Sequence, residues 1–489
     1  MSSNDFTKKE QFWQDTVRDL KKGIEQELRH NRYDQALTLL RACASVHYAT
    51  NQCYRDEELE NILCRIADTV LPEPDRQYRK NPAILFYDGF GLNNRGLIQI
   101  YLKALCKIGH VIYVTDISHK NDLPDVLDIL NNAGADILWT VEKKPVAAMG
   151  ELFGIFEEYQ PETAFLYTQP DDVVSTAVFC RYQGIVRRFQ INLTDHAYWL
   201  GTSALDCCIE FRDYGAVASH RGRGIPMDKL VKLPFYPGVN WEQTFQGFPF
   251  AVDTKKQKVI FSGGSLYKTL GADNLYYTLV SRILDRHPEA IFWYAGSGDR
   301  SEMDKLIAQY PGRVYLTAER KDLLPVLENC FFYLSTYPIT GGLMFQYAAC
   351  AGKLPITLRY DSECDGYLLN QSELGIEAHT LDEVTALIDE LFENPALLKQ
   401  KEEQVRNAVI REEDFQEGLK QLLSSGSTPY PIALYDVDVQ DLRREYLSDV
   451  SYAKYSGLFF QKKFFSVAYR FPIKFFAGFL LRLREKLTG

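Results

Sequence analysis

The chain has 489 residues, more than one ordinary hydrophobic core covers, so two or three domains are expected. A content of 46% hydrophobic and 25% charged residues excludes a largely disordered chain, and a net charge of −10 argues against a nucleic-acid-binding protein. The ten cysteines form no CxxC motif, which is typical of a protein in a reducing cytosol and offers no zinc site.

Residues 1–80 predict a helical N-terminal segment. From about Asp5 to Leu71, apolar residues recur at helical spacing with polar residues between them. No apolar run follows the first charged residues, and no uninterrupted apolar span has the length of a membrane-crossing helix, so we expect neither a signal peptide nor a transmembrane segment. The prolines of residues 72–82 predict a linker.

Two similar layers follow this segment. From Ala83, short apolar strands alternate with helical stretches at intervals of roughly 25 residues, which predicts β-α-β units and a parallel sheet. The first Rossmann-like layer covers residues 81–238, a proline-rich linker covers 239–256, and a second layer covers 257–428. We therefore predict an α/β protein with two Rossmann-like domains and a ligand site in a deep cleft between them.

Two glycine pairs in the second layer indicate a phosphate site. Gly263-Gly264 follows the first strand, with Lys268 ahead of a helix, and Gly341-Gly342 lies between the strand at Phe331 and another predicted helix. Glycines let a ligand approach the backbone, and the first N–H groups of a helix lack intrahelical partners, so both features suit a diphosphate. A plain strand-to-helix turn is the alternative.

A polar loop follows the first strand of the first layer. It begins Asp88-Gly89-Phe90-Gly91, and Asn93, Asn94 and Arg95 stand at the start of the next helix. Ligands of open α/β sheets bind at the carboxyl ends of the strands. We therefore predict an acceptor-binding or phosphate-binding loop that uses Asp88, Asn93, Asn94 and Arg95, with a solvated polar loop as the alternative.

Asp195 and His196 follow the predicted fifth strand of the same layer. A carboxylate beside a histidine can set its pKa and its orientation for proton transfer at neutral pH. Neighbouring residues of a strand point to opposite faces, however, so Asp195 need not touch His196. We predict His196 as a catalytic general base, and a structural histidine held in a loop is the alternative.

The stretch from Arg313 to Leu358, RVYLTAERKDLLPVLENCFFYLSTYPITGGLMFQYAACAGKLPITL, resembles the donor-binding half of GT-B glycosyltransferases. FSGGSLYK is similar to the lysine-bearing loop of the O-linked N-acetylglucosamine transferase branch. The resemblance implies that Lys268 meets the diphosphate of a nucleotide sugar and that Thr340-Gly341-Gly342 holds the distal phosphate and the sugar. It further implies that Thr317 to Lys321, including Glu319 and Arg320, line the nucleobase.

The chemistry suits these residue types. Negative charge develops on the departing phosphate, so a fixed cation and helix N-terminal amides act where that charge appears, and no metal is required. We expect a nucleoside-diphosphate sugar, with UDP as the nucleotide, to be the donor substrate and expect no cofactor.

The sequence departs from the family in one helix. Many retaining members carry an acid just before an Ala-x-Ala-x-Gly motif, whereas here Gln346 or Tyr347 precedes Ala348-Ala349-Cys350-Ala351-Gly352. An inverting displacement with His196 as the base is therefore preferred, and Gln346 takes the place of the acid among the donor-binding residues. A non-catalytic nucleotide-sugar-binding assembly protein, a protein-modifying glycosyltransferase and a GT-B epimerase stay open as alternatives.

An Asp436-Val437-Asp438 triplet resembles the metal-binding D-x-D motif of the other large glycosyltransferase fold. It lies after Pro429 and Pro431, outside both predicted layers, and such triplets are common by chance. We therefore predict no metal site.

The last predicted segment, residues 429–489, ends in a basic and aromatic tail. From Lys454 to Gly489, eight basic residues accompany a single acid, and Phe476, Phe479 and Leu483 fall on one helical face. Such a helix is typical of proteins that lie on an anionic membrane surface. The alternative is a C-terminal helix that packs on the first layer.

Together these features predict a cytoplasmic glycosyltransferase, peripheral on the inner face of the membrane. Its expected acceptor is a glycan or a lipid-linked molecule in cell-surface polysaccharide or glycolipid synthesis. The lipid-linked acceptor follows from the tail, and no acceptor motif supports it.

Overall fold

The computed structural model describes residues 3–75, 77–93, 97–238, 242–271, 274–358, 366–440, 465–473, 476, 479–480 and 483. Contacts divide these residues into two compact units. The first unit contains the residues up to Leu233 together with the described residues from Gln416 onward, and the second contains Pro234–Phe415. The helical N-terminal segment therefore belongs to the same unit as the first sheet.

Three helices begin the first unit: α1 (Ser3–Arg29), α2 (Tyr33–Thr50) and α3 (Glu57–Val70). Asn31 allows the tight turn after α1, because asparagine tolerates the left-handed backbone that it adopts there at φ 53°. Asp56 begins α3 by accepting a hydrogen bond from the Leu59 N–H at 3.2 Å. The apolar faces predicted from helical spacing are buried, as Ile24 and Leu37 illustrate.

The described part of the first unit contains seven strands, all paired in parallel. They are β1 (Asn81–Asp88), β2 (Val111–Asp116), β3 (Asp136–Thr140), β4 (Pro161–Tyr167), β5 (Arg187–Ile191), β6 (Cys207–Glu210) and β7 (Leu230–Lys232). Their order is β3-β2-β1-β4-β5-β6-β7, so the direction of the chain across the sheet reverses between β1 and β4. Such a reversal opens a crevice at the carboxyl ends of the strands.

Helices connect these strands and cover the sheet. They are α4 (Ile98–Ile108), α5 (Pro124–Ala133), α6 (Pro145–Tyr159), α7 (Val173–Arg181) and α8 (Asp213–Val217). Aromatic side chains of neighbouring strands stack in the core, with the rings of Phe165 and Phe189 5.0 Å apart. The six strands predicted for this layer are present, whereas β7 was not predicted, because three residues carry no readable alternation.

The described part of the second unit contains six parallel strands. They are β8 (Lys258–Ser265), β9 (Ala290–Ser297), β10 (Val314–Thr317), β11 (Phe332–Leu334), β12 (Pro355–Leu358) and β13 (Glu377–Ala378). The order β10-β9-β8-β11-β12-β13 reverses between β8 and β11. Trp293, Phe261 and Tyr333 form part of the core on this sheet.

The remaining helices are α9 (Leu275–Arg286), α10 (Ser301–Gln309), α11 (Leu323–Glu328), α12 (Gly342–Cys350), α13 (Leu381–Glu393), α14 (Pro395–Asn407) and α15 (Glu412–Ser425). The start of α13 is fixed by a capping box, in which Thr380 and Glu383 each bond the backbone of the other. Two parallel, helix-covered sheets confirm the predicted α/β class.

In the described part of the tail, the helix α16 (Phe465–Arg470) packs on the N-terminal helices. Val467 and Ala468 are buried, and the Arg470 guanidinium pairs with Glu27 and bonds the Gln26 side chain at 3.0 Å. Of the helices that the structure describes, none has the length and apolarity that a membrane crossing needs.

Candidate functional site

Gly263 and Gly264 were predicted to follow the first strand of the second layer, but they lie inside it, because β8 continues to Ser265. Gly263 and Gly264 of β8 pair with Ala295 and Gly296 of β9. A Cβ atom on Gly263 would lie 2.9 Å from the Ala295 carbonyl oxygen, and Gly264 has φ +121°, which disfavours any other residue. Glycine is therefore required at both predicted positions, and bare backbone is presented at the carboxyl end of β8.

Lys268 lies on a short 3₁₀ helix, Leu266–Thr269, directly after β8. Buried Thr269 fixes that helix, because its hydroxyl bonds the Leu266 carbonyl and the Tyr277 hydroxyl, both at 2.7 Å. The carbonyl of Lys268 accepts a hydrogen bond from the Ile339 N–H at 3.3 Å. The structure thus brings the lysine loop against the turn that contains Thr340, Gly341 and Gly342.

That turn is held by its own backbone and by one hydroxyl. The Thr336 hydroxyl donates to the Ile339 carbonyl at 2.6 Å, and the Gly341 carbonyl accepts the first helical bond of α12 from Phe345 at 3.0 Å. Among the described residues, no side chain caps the N-terminus of α12. A helix of nine residues therefore directs its first N–H groups to the side on which Thr340 lies.

The structure excludes a side chain at one of the two glycines of this turn and accommodates a Cβ atom at the other. A Cβ on Gly342 would overlap the ring of Tyr367, whereas a Cβ on Gly341 would meet only ordinary contacts, 3.6 Å from Met344 and 3.7 Å from the Thr336 hydroxyl. Gly341 also has an unremarkable φ of −85°. Close packing of an aromatic ring thus accounts for Gly342, and the structure itself does not require Gly341.

Two of the predicted donor-binding side chains have structural partners. Nε and Nη2 of the Arg320 guanidinium each donate to the Asp322 carboxylate at 2.7 Å, and the guanidinium lies 5.4 Å from the centre of the Trp293 ring. The buried Gln346 amide donates to the carbonyls of Phe235 at 2.7 Å and Tyr367 at 2.9 Å. Both side chains hold the fold, and a contact of either with a donor stays a prediction. Glu319 is exposed in the loop after β10.

In the first unit, Asp195 and His196 are in contact despite being sequence neighbours. His196 Nδ1 lies 3.3 Å from Asp195 Oδ1, and the Arg212 guanidinium donates to Asp195 Oδ2 at 2.6 Å. Burial disfavours the ionised carboxyl, but the charge of Arg212 and the hydrogen bonds outweigh it and hold the pKa of Asp195 below its ordinary value. Asp195 is therefore an ionised side chain that orients a partly exposed histidine.

Two polar residues outside the predicted site, Arg223 and Asn51, hold this loop in place. The buried Arg223 guanidinium donates to the carbonyls of Thr194, Asp195 and Ala197. Asn51, at the end of α2, donates to the His196 carbonyl at 3.1 Å and accepts from the Tyr198 N–H at 3.2 Å. No local pattern announces these contacts, because they join residues that are far apart in the sequence.

A cavity of about 390 Å³ lies at the carboxyl edge of the first sheet, beside the reversal between β1 and β4. Its lining includes Asp88, Asp116 and Thr140 from the ends of β1, β2 and β3, with Arg41 from α2 and Lys143 from the loop before α6. The volume falls within the usual range of about 300 to 1,000 Å³ for small-ligand sites. The lining carries both carboxylates and cations.

Asp88 is buried in this lining and held by three donors. Its carboxylate accepts from the N–H groups of Phe90 at 2.9 Å and Gly91 at 3.0 Å, and from the Tyr113 hydroxyl at 2.6 Å. Burial nevertheless raises its pKa above the ordinary value. Asn93 instead bonds Asp125 at the start of α5, and Asn94 and Arg95 lie outside the described residues.

Neither carboxylate of the D-x-D triplet stands in a cluster of metal ligands. Asp436 forms an ion pair with Arg221 at 2.8 Å, and Asp438 accepts a hydrogen bond from the Gln440 N–H at 2.8 Å. Within the part of the chain that the structure describes, no group of three or more His, Cys, Asp or Glu side chains could hold a metal ion.

The two parallel, helix-covered sheets, together with the similar solved structures, define a GT-B glycosyltransferase-like fold. No family model and no curated protein sequence matches the chain. Among solved structures, a mutant of the Thermobaculum terrenum O-GlcNAc transferase is similar in fold, with a TM-score of 0.52 and 14% identity over 87% of this chain and 82% of that one.

Two further structures have the same TM-score of 0.52 and cover 71% of this chain and 100% of their own. They are HepE of Anabaena in complex with UDP and glucose, at 12% identity, and a glycosyltransferase from Rickettsia africae, at 10% identity. At such identities the likeness concerns the fold.

Proposed function

We propose that this protein is a glycosyltransferase that binds a nucleoside-diphosphate sugar in its second unit. The observation that carries the proposal is the hydrogen bond from the Ile339 N–H to the Lys268 carbonyl, which joins the lysine loop to the turn before α12. Lys268 would then supply a cation, and the start of α12 would supply amides, to a diphosphate bound at this turn. Both stabilise the charge that develops on a departing diphosphate, so metal-free transfer follows.

UDP is the nucleotide that the comparisons support. HepE, which shares the fold, has been seen with UDP and glucose, and the Thermobaculum protein is named an O-GlcNAc transferase. For this chain we infer a UDP-linked hexose or N-acetylhexosamine as the donor. Thr340, Gly341 and Gly342 would hold its distal phosphate and sugar, and the loop with Glu319 would line the base.

His196 is the proposed general base. Ionised Asp195 lies 3.3 Å from His196 Nδ1 and fixes the ring, so Nε2 is the nitrogen that accepts a proton from the acceptor hydroxyl. Loss of that proton makes the hydroxyl a nucleophile for the anomeric carbon while the UDP leaves. A single displacement of this kind inverts the configuration at that carbon.

The cavity beside Asp88 is the proposed acceptor site. It has room for a sugar residue, and its carboxylates, Thr140 hydroxyl and Lys143 ammonium offer both acceptors and donors for hydroxyl groups. A glycan or a lipid-linked saccharide is therefore the proposed acceptor, used in cell-surface polysaccharide or glycolipid synthesis.

The tail supports a position on the inner face of the cytoplasmic membrane. Tyr469, Ile473 and Phe476 are 90%, 84% and 61% exposed, although each is a large apolar side chain. Tyr469 lies on α16, whose residues Val467 and Ala468 are buried, and the sequence around all three side chains is strongly basic. An apolar strip among cations suits the headgroup region of anionic lipid.

A non-catalytic nucleotide-sugar-binding protein is the second candidate. Gln346 or Tyr347 stands where many retaining members of the resembled family carry an acid, and the Gln346 amide donates to two backbone carbonyls. Such a protein would bind the donor without turning it over.

A thermal-shift panel of nucleoside diphosphates and their sugars tests the proposal, followed by an assay of UDP release with saccharide acceptors. A specific ligand at about a hundred times its Kd should stabilise the fold by about 2.7 kcal/mol. Stabilisation by UDP compounds together with turnover supports the transferase. Stabilisation without turnover by any donor supports the second candidate, and a flat response to every nucleotide contradicts both.

A further inference from the structure

Two cysteines from different elements lie face to face in the first unit. Cys64 on α3 and Cys180 on α7 have their Sγ atoms 2.9 Å apart, although 116 positions separate them in the sequence. Both are free thiols and both are partly exposed. A disulfide bond needs an Sγ–Sγ distance of about 2.05 Å, so a movement of less than about 1 Å would join them.

The surrounding contacts hold the two helices in this register. Arg181, next to Cys180, donates to Asp68 of α3 at 2.7 Å, one turn after Cys64. Glu60, one turn before Cys64, accepts from the N–H groups of Gly201 and Thr202. The thiols are therefore fixed by ion pairs and hydrogen bonds on both sides.

The environment makes the two thiols unequal. The hydrogen bond with Cys180 lowers the pKa of the Cys64 thiol despite its burial, and the same bond together with burial raises the pKa of Cys180. Ser203 Oγ lies 3.6 Å from Cys64 Sγ and 3.8 Å from Cys180 Sγ. The thiolate is the reactive form of a cysteine, and each of these two thiols has the other within reach as its resolving partner.

We propose that Cys64 and Cys180 form a reversible oxidation site whose co-reactant is a peroxide. The thiolate of one cysteine attacks one peroxide oxygen, the O–O bond breaks, the other oxygen leaves as water, and that cysteine becomes a sulfenic acid. The thiol of the second cysteine then displaces the sulfenic oxygen as water and forms the disulfide. Two thiols lose two electrons in total, and one hydrogen peroxide is reduced to two water molecules.

The disulfide would tie the helical N-terminal segment to the first sheet domain. α3 and α7 pack against each other, and Glu60 of α3 also holds the loop at Gly201–Ser203, which follows the His196 loop. A link across so long a stretch of chain restricts the unfolded state strongly. Oxidation should therefore stabilise the unit that carries the proposed base.

The site is tested by treating the full reduced chain with a small excess of hydrogen peroxide and mapping its peptides without reduction. The expected product is a Cys64–Cys180 linked peptide whose mass is lower by two hydrogen atoms, lost again with dithiothreitol. The oxidised chain should melt at a higher temperature than the reduced chain. Cys64→Ser and Cys180→Ser should each abolish both effects.

Cys106→Ser is the matched control, because Cys106 is a partly exposed thiol on α4, and burial raises its pKa. That variant should form the same link at the same rate as the unmodified chain. The proposal is overturned if peroxide leaves both thiols free, if Cys64 is oxidised to a sulfinic acid without a link, or if Cys64 links to another cysteine. The peptide map of the unmodified chain decides this even where a serine variant fails to fold. UDP binding plays no part in the outcome, so the test is independent of the proposed transferase activity.

Discussion

At the scale of single residues, the best-defined polar arrangement is the triad of Arg212, Asp195 and His196. Its carboxylate is buried, ionised and bonded on both sides, at 2.6 Å to Arg212 and 3.3 Å to His196. A buried ion pair of this kind is costly to break, because the remaining partner is left as an unpaired charge. The triad therefore links the stability of the first unit to its proposed chemistry.

Asp195→Asn should lower the free energy of unfolding at pH 7 by about 3 to 5 kcal/mol, because Arg212 loses its partner. The pKa of Asp195 is depressed in the folded state, so its contribution is present above the unfolded-state pKa of about 3.9 and is lost as the pH falls below that value. Denaturant unfolding between pH 7 and pH 3 measures both effects. If the Asp195→Asn variant lost stability with acid as steeply as the unmodified chain, the assignment would be contradicted.

His196→Ala should reduce kcat for transfer by about 10²- to 10⁴-fold, the usual contribution of a general base, with little change in UDP affinity. His110→Ala is the matched control, since His110 also contacts an aspartate, Asp136, at 2.9 Å but on the exposed surface. Steady-state kinetics on the two variants decide the point. Near-normal turnover in a folded His196→Ala protein would remove His196 from the mechanism.

The sequence predicts some of these residues and not others for a physical reason. Asp195 and His196 stand out as neighbours, but Arg212 reaches them from another strand end, and only the folded sheet makes that contact. Gln346 was predicted to bind the donor from its place beside a sequence motif. In the structure its buried amide donates to two backbone carbonyls instead. Spacing along the chain does not determine which way a side chain points inside a fold.

At the scale of elements, α12 and its leading turn are the critical piece of the second unit. The structure separates two glycines that the sequence presents as a pair, because Tyr367 packs on Gly342 and leaves room beside Gly341. Long apolar runs such as β1 and β9 were predicted from the sequence, whereas β7 and β13 have three and two residues and carry no pattern. The equally short β11 was predicted because it lies in the apolar run from Phe331 to Leu334, so a short strand could be predicted only where the sequence around it carries a pattern.

Gly342→Ala should destabilise the protein by about 1 to 3 kcal/mol, the usual cost of overpacking, because the new methyl group overlaps the Tyr367 ring. Gly341→Ala provides the control, since its Cβ meets contacts of 3.6 Å or longer. Thermal or denaturant unfolding compares the two variants. If the Gly342→Ala and Gly341→Ala variants were equally stable, the close packing of Tyr367 against Gly342 would not explain the glycine at that position.

Ile473→Glu and Phe476→Glu should weaken binding to vesicles that contain anionic lipid, because each places a charge on the exposed apolar strip. Met227→Glu is the control, since Met227 is an exposed apolar residue far from the tail in sequence. Vesicle sedimentation at low and physiological salt measures the effect. Unchanged binding of both tail variants would contradict a membrane-facing tail.

At the scale of the whole molecule, two Rossmann-like sheets are assembled from one chain, and the GT-B-like fold follows from strand order and from the similar solved structures. The alternation of strands and helices was sufficient to predict this architecture. The meeting of the Lys268 loop with the α12 turn was implied only by resemblance, because the hydrogen bond that joins them spans separate β-α units. The proposed donor site depends on this contact between the Lys268 loop and the turn before α12.

The most direct test is calorimetric titration of UDP into the unmodified chain, Lys268→Ala and Lys256→Ala. Lys256 is an exposed lysine of the same unit, paired only weakly with Asp253 at 3.8 Å, so its loss should leave affinity unchanged. Loss of one charged phosphate contact worth about 1.5 to 3 kcal/mol predicts at least a tenfold weaker Kd for Lys268→Ala. Equal affinity of all three proteins, or no UDP binding by the unmodified chain, would contradict the claim.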